Sequence, residues 1–304
     1  MAYLSDPRRA DPRMLLPGCR SILVLAARYP APEAESGRPP SRTHGRVAAY
    51  AGGQDYHLVL PERLHSLAAF LERAAGAPVA YRAYTDSGPL LERDLAQAAG
   101  LGWIGKNTCL IHPGIGSYFF LAELLLEIEL EPDPPFTADR CGSCTRCLEA
   151  CPTGCILPDR TLDAQRCISY LTIENRGAIP TELRPHVGEW AFGCDVCQMV
   201  CPWNTRADPL PLPDACFLPS TAEAAPFTEL NCTAEEFRGR YRSSPISRAR
   251  QRGYQRNLAV VMGNTAERAQ IPLLEQAAAS QDDLLSEHAR WALERLRSRK
   301  PSRS

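Results

Sequence analysis

The sequence predicts a mixed α+β and α/β chain with three parts: an α/β layer, a short cysteine-rich region and a helical end. Apolar runs alternate with segments of helical periodicity over the first 130 residues. The cysteines cluster between residues 140 and 210, and helical periodicity continues from residue 234. Because proline-rich stretches lie between these parts, we place the divisions at 1–133, 134–212 and 213–304.

The first part alternates predicted strands and helices. A buried strand is expected at 21–27, where apolar residues follow one another without interruption. A helix is expected at 56–75, where Leu60, Leu64 and Leu67 recur at helical spacing. The remaining elements are a short strand at 79–84, a helix at 90–99, a strand at 108–111 and an apolar segment that reaches residue 130. Such alternation is typical of an α/β layer.

The helical end contains one predicted repeat pair, at residues 255–298, with leucines and alanines at helical spacing. Repeat proteins need several units to bury a continuous core, so one pair is too little for a free solenoid. We therefore expect this pair to dock on the rest of the chain.

The charge balance is close to zero, since 34 Lys and Arg against 35 Asp and Glu leave a net charge of −1. A global basic field is excluded, and any nucleic-acid site must be a local patch. The apolar stretch at 118–130 contains three glutamates and is shorter than the roughly 20 residues that span a bilayer. Residues 1–11 lack the apolar segment of a secretory signal. We therefore expect a cytoplasmic protein without a membrane partner, whose thiols stay reduced.

The cysteine spacing predicts two iron–sulfur clusters. Residues 141–152 have the run Cys-x2-Cys-x2-Cys-x3-Cys-Pro of bacterial ferredoxins, in which the fourth cysteine binds a second cluster. A shorter run, Cys-x2-Cys-x3-Cys-Pro, occupies 194–202. By the same crossing, one [4Fe–4S] cluster is expected on Cys141, Cys144, Cys147 and Cys201, and the other on Cys151, Cys194, Cys197 and, as the candidate for the missing ligand, Cys167.

Structural zinc is the alternative for paired CxxC motifs, but zinc sites do not need the x3-Cys-Pro endings. The CxxxCxxC motif of radical S-adenosylmethionine enzymes is not found in either run. The clusters are therefore expected to be fully ligated electron carriers. The other cysteines are interpreted as small buried hydrophobic residues: Cys19, Cys109, Cys155, Cys216 and Cys232.

No motif for a nucleotide cofactor accompanies the clusters. The first 130 residues contain neither a GxGxxG after a strand nor a GxxxxGK[ST] loop. Asp55, Tyr56 and His57 begin like DxHxxG, the pattern that ligates cobalamin, but Leu60 stands in place of the glycine. His57 is therefore interpreted as a residue at a helix start and not as a cobalt ligand.

Several segments, in order over almost the whole chain, resemble the epoxyqueuosine reductase family. They are Asp86-Ser-Gly-Pro-Leu-Leu-Glu-Arg, Gly100-Leu-Gly-Trp-Ile-Gly-Lys-Asn107, Cys141–Pro152, Arg166-Cys-Ile-Ser-Tyr-Leu-Thr-Ile-Glu174 and Gly193–Pro202. The resemblance implies a cobalamin-binding α/β domain, a ferredoxin-like two-[4Fe–4S] domain and a C-terminal HEAT-like segment. It also implies that Cys167 completes the second cluster. Family members have a further N-terminal helical segment before a Gly-x-Met-x-Tyr-Leu stretch, and this chain starts inside that stretch at Met1-Ala-Tyr-Leu4.

The resemblance further implies the reduction of epoxyqueuosine to queuosine at the wobble position of tRNA. Asp86, at a strand end before a Gly-Pro turn, is the expected proton donor, and burial against the corrin would keep it protonated at neutral pH. Its structural alternative is an N-cap for the next helix. Base-off cobalamin is expected in contact with Arg9, Lys106, Asn107, Ser169, Thr172 and Asp195.

A local basic strip at 237–256 contains seven arginines and no lysine, with Tyr241 and Tyr254 interleaved. Guanidinium groups bind phosphate, and tyrosine stacks on unpaired bases. Contacts with tRNA are expected from Arg238, Arg240, Arg242, Arg248, Arg250 and Arg252. A solvated helix face is the structural alternative.

Two other function classes fit parts of the sequence. A reductive dehalogenase also combines cobalamin with two clusters, but the arginine strip and the missing export signal argue against it. A ferredoxin-like electron carrier would need neither the α/β part nor the Asp86 loop. The favoured enzyme is expected to be a monomer that receives electrons from an external donor.

Overall fold

The computed structural model describes residues 5–32, 41–219 and 224–298. Its strands are β1 (Ser21–Arg28), β2 (His44–Val47), β3 (Tyr81–Tyr84), β4 (Trp103–Ile104), β5 (Leu110–Ile111), β6 (Phe119–Leu126), β7 (Trp190–Phe192) and β8 (Ala224–Pro226). Its α-helices are α1 (Tyr56–Ala75), α2 (Glu92–Ala98), α3 (Arg146–Ala150), α4 (Ile168–Ile173), α5 (Val196–Met199), α6 (Pro202–Thr205), α7 (Ala234–Tyr241), α8 (Arg250–Thr265), α9 (Ile271–Ala278) and α10 (Asp283–Ser298). Within these ranges no helix is both long and apolar enough to cross a membrane. Residues 1–4, at the start of the chain, lie outside the described residues.

The first sheet has the strand order β1-β6-β3, with the apolar β6 in its centre. Both neighbours run antiparallel to β6, from Ser21 opposite Leu126 to Arg28 opposite Phe119 on one side. Strands and helices alternate along the chain as predicted. The pairing is nevertheless antiparallel, because β6 inserts between two strands that point the other way.

Helices cover both faces of this sheet. Helix α1 packs its Leu60, Leu64 and Ala68 against one face of β6. It begins where the Asp55 carboxylate accepts the His57 N–H and ends at Gly76, whose φ of 67° suits glycine. Its predicted bounds are confirmed. Helix α2 covers the other face. The start of α1 and the end of β3 meet at one edge of the layer, where Tyr56 contacts Asp86.

A second sheet, in the order β7-β2-β8, joins the three predicted parts of the chain. Strand β2 pairs in parallel with β7 and antiparallel with β8. Each strand comes from a different predicted part, so the parts share this sheet. The division at 133 and 212 stays a prediction.

Helix α8 is the centre of the helical end, and its side chains from Tyr254 to Met262 are buried. It packs against α10 and against Phe192 of β7. The Asn257 Nδ2 donates to the carbonyls of Thr172 and Ala191, at 2.7 and 2.8 Å. The helical end is therefore docked on the cysteine-rich region, as expected.

Candidate functional site

Asp86 lies at the carboxyl end of β3, in a loop of residues 85–91. Its φ of 53° is unusual for a residue other than glycine, and such backbone strain is often found at functional sites. The Tyr56 hydroxyl donates a hydrogen bond of 2.7 Å to Asp86 Oδ2. The N-cap position of α2 is Leu91, so Asp86 does not cap that helix. The Asp86 side chain is 65% exposed, and it is therefore accessible to a ligand.

His57 lies between two carboxylates at the start of α1. Its Nδ1 is 2.8 Å from Asp55 Oδ1, and its Nε2 is 3.7 Å from Asp86 Oδ2. Burial lowers the pKa of His57, but the hydrogen bond with Asp55 and the nearby Asp86 carboxylate outweigh it and raise that pKa to about 9. His57 is therefore an imidazolium at neutral pH. Sequence reasoning gave it no role, because the contact with Asp86 joins residues that are distant in the chain.

The same contacts act on the pKa of Asp86. The nearby His57 imidazole lowers the pKa of Asp86 below the usual range; desolvation by the surrounding protein opposes this shift, and the Tyr56 hydroxyl adds to it. With these neighbours alone the Asp86 carboxylate is favoured, and the expectation that burial against the corrin keeps Asp86 protonated stays a prediction. The proton of the network is held by His57.

The first predicted thiol set is brought together by the fold. Burial raises the pKa of the Cys147 thiol, and the nearby thiols of Cys141, Cys201 and Cys144 add to this rise. The Trp103 Nε1 donates to Cys141 Sγ at 3.4 Å. Lys106 Nζ donates to the carbonyls of Gly142 and Cys144, at 2.7 and 3.0 Å. Lys106, at the end of the glycine-rich loop, therefore fixes the backbone between Cys141 and Cys144.

The second predicted set is also assembled. The Cys167 thiol lies close to those of Cys151, Cys194 and Cys197, and the Cys194 thiol lies close to those of Cys151 and Cys197. Two more thiols border them. Cys155 Sγ lies 3.4 Å from Cys151 Sγ, and the thiol of Cys109 contacts that of Cys197. Their interpretation as ordinary core residues missed this, because the spacing rule considers only the two runs.

The remaining predicted cofactor residues divide into two groups. Arg9 Nη1 donates to the Leu90 carbonyl at 2.7 Å and ties the N-terminal turn to the Asp86 loop. Ser169 is half-buried in the first turn of α4, directly after Cys167. Asn107 is 5% exposed, and its Nδ2 has no hydrogen-bond partner in the described part of the chain. A buried unpaired amide donor suits an amide-rich ligand such as a corrin, so these residues fit that group.

The other two predicted residues are engaged within the protein. Thr172 is fully buried, and its hydroxyl donates to the Ile168 carbonyl and accepts the Gly193 N–H. Asp195 is 2% exposed, and its Oδ2 accepts the Ala49 N–H at 2.7 Å. Both side chains tie the second thiol set to neighbouring backbone.

The predicted arginine strip is only partly a surface. Arg248 pairs with Glu174 at 2.8 Å, Arg252 with Asp282 at 2.5 Å, and Arg240 with Glu229 at 2.6 Å. Arg238 Nε donates to a carbonyl of its own helix. Among the described residues, Arg242 and Arg250 have no ion pair or side-chain hydrogen bond, and both are exposed. Arg250 also has a φ of 58°, at the start of α8.

Three residues of the strip lie in the core, which corrects the expected stacking role. Tyr241 and Tyr254 are 1% and 0% exposed, and both hydroxyls donate to Glu229. Arg256 is 0% exposed and donates to the carbonyls of Leu171 and Gly177. These side chains face inward on their helices, so they cannot stack on bases or bind phosphate at the surface.

The strip extends to the Asp86 site. Arg248 is close enough to Asp86 and Tyr56 for its charge to influence both. Arg176 donates to the Arg248 and Ala249 carbonyls and supports the turn that carries Arg248. One end of the basic surface is therefore beside the exposed Asp86 carboxylate.

Two protein-family models match this chain. A family model described as epoxyqueuosine reductase QueG, DUF1730, matches residues 9–87, and one described as a 4Fe-4S double cluster binding domain matches residues 140–204. An epoxyqueuosine reductase of Pseudomonas aeruginosa is 43% identical over 296 residues, covering 95% of this chain and 80% of the relative. An epoxyqueuosine reductase of Escherichia coli K12 is 40% identical over 288 residues, which cover 94% of this chain and 75% of the relative.

Solved structures resemble the whole fold. The crystal structure of an epoxyqueuosine reductase with an epoxyqueuosine-modified tRNA stem loop matches with a TM-score of 0.85 and 33% identity, over 94% of this chain and 76% of that chain. The Bacillus subtilis epoxyqueuosine reductase was solved with a catalytic aspartate loop swung out of the active site. It matches with a TM-score of 0.77 and 31% identity, over 95% of this chain and 85% of that chain.

Proposed function

Because the chain belongs to the epoxyqueuosine reductase family, we propose that it reduces epoxyqueuosine to queuosine in tRNA, with Asp86 as the proton donor. The epoxide takes up two electrons and two protons, both C–O bonds break, and an alkene and water result. The observation that supports this assignment is the exposed Asp86 carboxylate beside a charged His57.

The protein's own groups can supply a proton at Asp86 Oδ2. His57 holds a proton at Nε2, 3.7 Å from that oxygen, while Tyr56 keeps the carboxylate oriented through its hydroxyl. A substrate that covers Asp86 removes water from it, which raises its pKa and favours transfer of the proton from His57. Asp86 then protonates the departing oxygen, a step that general acids accelerate.

The two thiol sets suit a region that delivers electrons to the site at Asp86. We assign one [4Fe–4S] cluster to each thiol set, in the crossed arrangement of ferredoxin runs. Cobalamin, when bound, would supply the electron pair for reduction of the epoxide. Asn107 and Ser169 are the residues we assign to it, because the Asn107 amide is buried and unpaired and Ser169 follows a cluster cysteine. The first electrons come from an external donor, and we assign the enzyme to the cytoplasm as a monomer.

The tRNA side is proposed to be the exposed arginines next to Asp86. Arg242 and Arg250 can bind phosphate directly, while Arg248 and Arg252 would exchange Glu174 and Asp282 for it. Because Arg248 lies near Asp86, phosphates bound along this surface would hold a nucleotide over the carboxylate.

The proposed function is tested with anaerobically reconstituted enzyme, cobalamin, a chemical reductant and tRNA that carries epoxyqueuosine. Mass spectrometry of the digested tRNA should show nucleoside that has lost one oxygen atom. Recovery of unchanged epoxyqueuosine from enzyme loaded with iron and cobalamin would overturn the proposal.

A further inference from the structure

Two glutamates lie directly behind the Asp86 loop, and no step proposed above uses them. Glu92 is the first residue of α2, and its Oε1 accepts the backbone N–H of Asp86. Glu123 lies in β6, is 0% exposed, and directs its carboxyl towards that of Glu92. Neither oxygen of Glu123 accepts a hydrogen bond from any donor in the described part of the chain.

The described residues around Glu123 include no cation that could neutralise its carboxylate in addition to that of Glu92. Its neighbours across the sheet are Val24 and Tyr84, and Leu121 and Leu125 flank it on the same face of β6. Two carboxylates in such a place repel each other, and the pair is stable when it shares one proton. Burial accordingly raises the pKa of Glu123 to about 9 and that of Glu92 to about 7.

Few charged or titratable groups face the pair from the neighbouring elements. Arg9 approaches Glu92 from the N-terminal turn, and Asp86 approaches from the loop. Tyr84 on β3 lies opposite Glu123. His57 on α1 contacts the far side of Asp86. Arg9 is thus the cation that influences Glu92, and it also binds the other end of the loop at the Leu90 carbonyl.

We propose that Glu92 and Glu123 are positioning residues for Asp86: the proton between their carboxyls keeps Glu92 on the Asp86 N–H and holds Asp86 at its φ of 53°. This inference rests on the donor role proposed for Asp86. Loss of the shared proton places two negative charges together, separates the carboxyls and releases the loop. The loop is therefore ordered at neutral pH and opens in alkaline solution.

Hydrogen exchange of the Asp86 amide tests this without substrate. In holoenzyme that holds clusters and cobalamin, the protection factor should fall about tenfold between pH 6.5 and 9.5, the equivalent of about one pKa unit of coupling. Glu123→Gln should keep its protection over this range, because an amide donates to Glu92 without titrating. Glu92→Ala should lose protection at every pH, while Glu92→Gln, which keeps an acceptor oxygen, should restore it at neutral pH. Asp94→Asn, an exposed change on the same helix, should behave as wild type.

The single-turnover rate with epoxyqueuosine-containing tRNA provides the second measurement. The wild-type rate should fall above pH 8 together with the protection factor, and the Glu123→Gln rate should not. Parallel pH profiles of protection in wild type and Glu123→Gln would overturn the inference, as would full protection in Glu92→Ala. If the amide shows the expected protection but the enzyme shows no turnover, the proposed function is contradicted, while the positioning role of Glu92 and Glu123 is retained.

Discussion

The Tyr56 hydroxyl donates a 2.7 Å hydrogen bond to Asp86 Oδ2, and the two residues come from the start of α1 and the end of β3. The contact orients the carboxylate while leaving most of its surface exposed. Since His57 follows Tyr56 directly, the same turn of α1 also brings an imidazolium to Asp86. The first turn of α1 thus positions Tyr56 and His57, two of the three side chains that handle the proton; the third is Asp86.

His57 makes stability depend on pH. Its pKa is raised from the usual 6.5 to about 9, so the stability that it contributes is complete below pH 6.5 and is lost as the pH rises through about 9. His57→Gln should therefore flatten the decline of the urea midpoint over this window. His65→Gln, on the same helix, should keep the wild-type decline. An identical decline in wild type and His57→Gln would show that His57 carries no extra proton in the fold.

The arginine strip is tested by a triple replacement. Changing Arg248, Arg250 and Arg252 to Ala should weaken tRNA binding and flatten its dependence on salt, by about 0.7 in logarithmic slope per lost phosphate contact to single-stranded RNA. Cobalamin and iron content should stay unchanged.

The matched control replaces three exposed arginines outside the strip, each of which pairs with a glutamate: Arg20, Arg42 and Arg297. This control removes the same charge and should keep most of the salt slope. Equal slopes in both triple variants would identify the strip as an ordinary solvated surface.

Cys167 is tested by iron content. Reconstituted wild type should hold about eight irons, and Cys167→Ala should hold about four with the spectrum of one cluster. Cys155→Ala is the control, since this thiol contacts Cys151 but stands outside the spacing scheme. It should keep about eight irons. A Cys167→Ala protein with both cluster signals would exclude Cys167 as the eighth ligand.

Local patterns predicted the fold well where one segment contains all the information. Helix α1 follows from its leucine spacing. The cysteine spacing predicts two crossed thiol sets, and the assignment of each cysteine to a cluster stays a prediction. The antiparallel pairing of β6 could not be predicted, because alternation along the chain does not fix strand direction. Composition also could not show that Arg256 and Tyr254 are buried, since this stretch of α8 is enclosed by segments that are distant in the chain.

The donor role of Asp86 is tested most directly by Asp86→Asn in a single-turnover assay. Asparagine keeps the side-chain shape and still accepts the Tyr56 hydrogen bond, but it cannot transfer a proton. The variant should fold, hold iron and cobalamin, bind tRNA, and convert epoxyqueuosine about 10²–10⁴-fold more slowly than wild type. A rate near that of wild type, in protein with full cofactor content, would contradict the assignment of Asp86 as the proton donor.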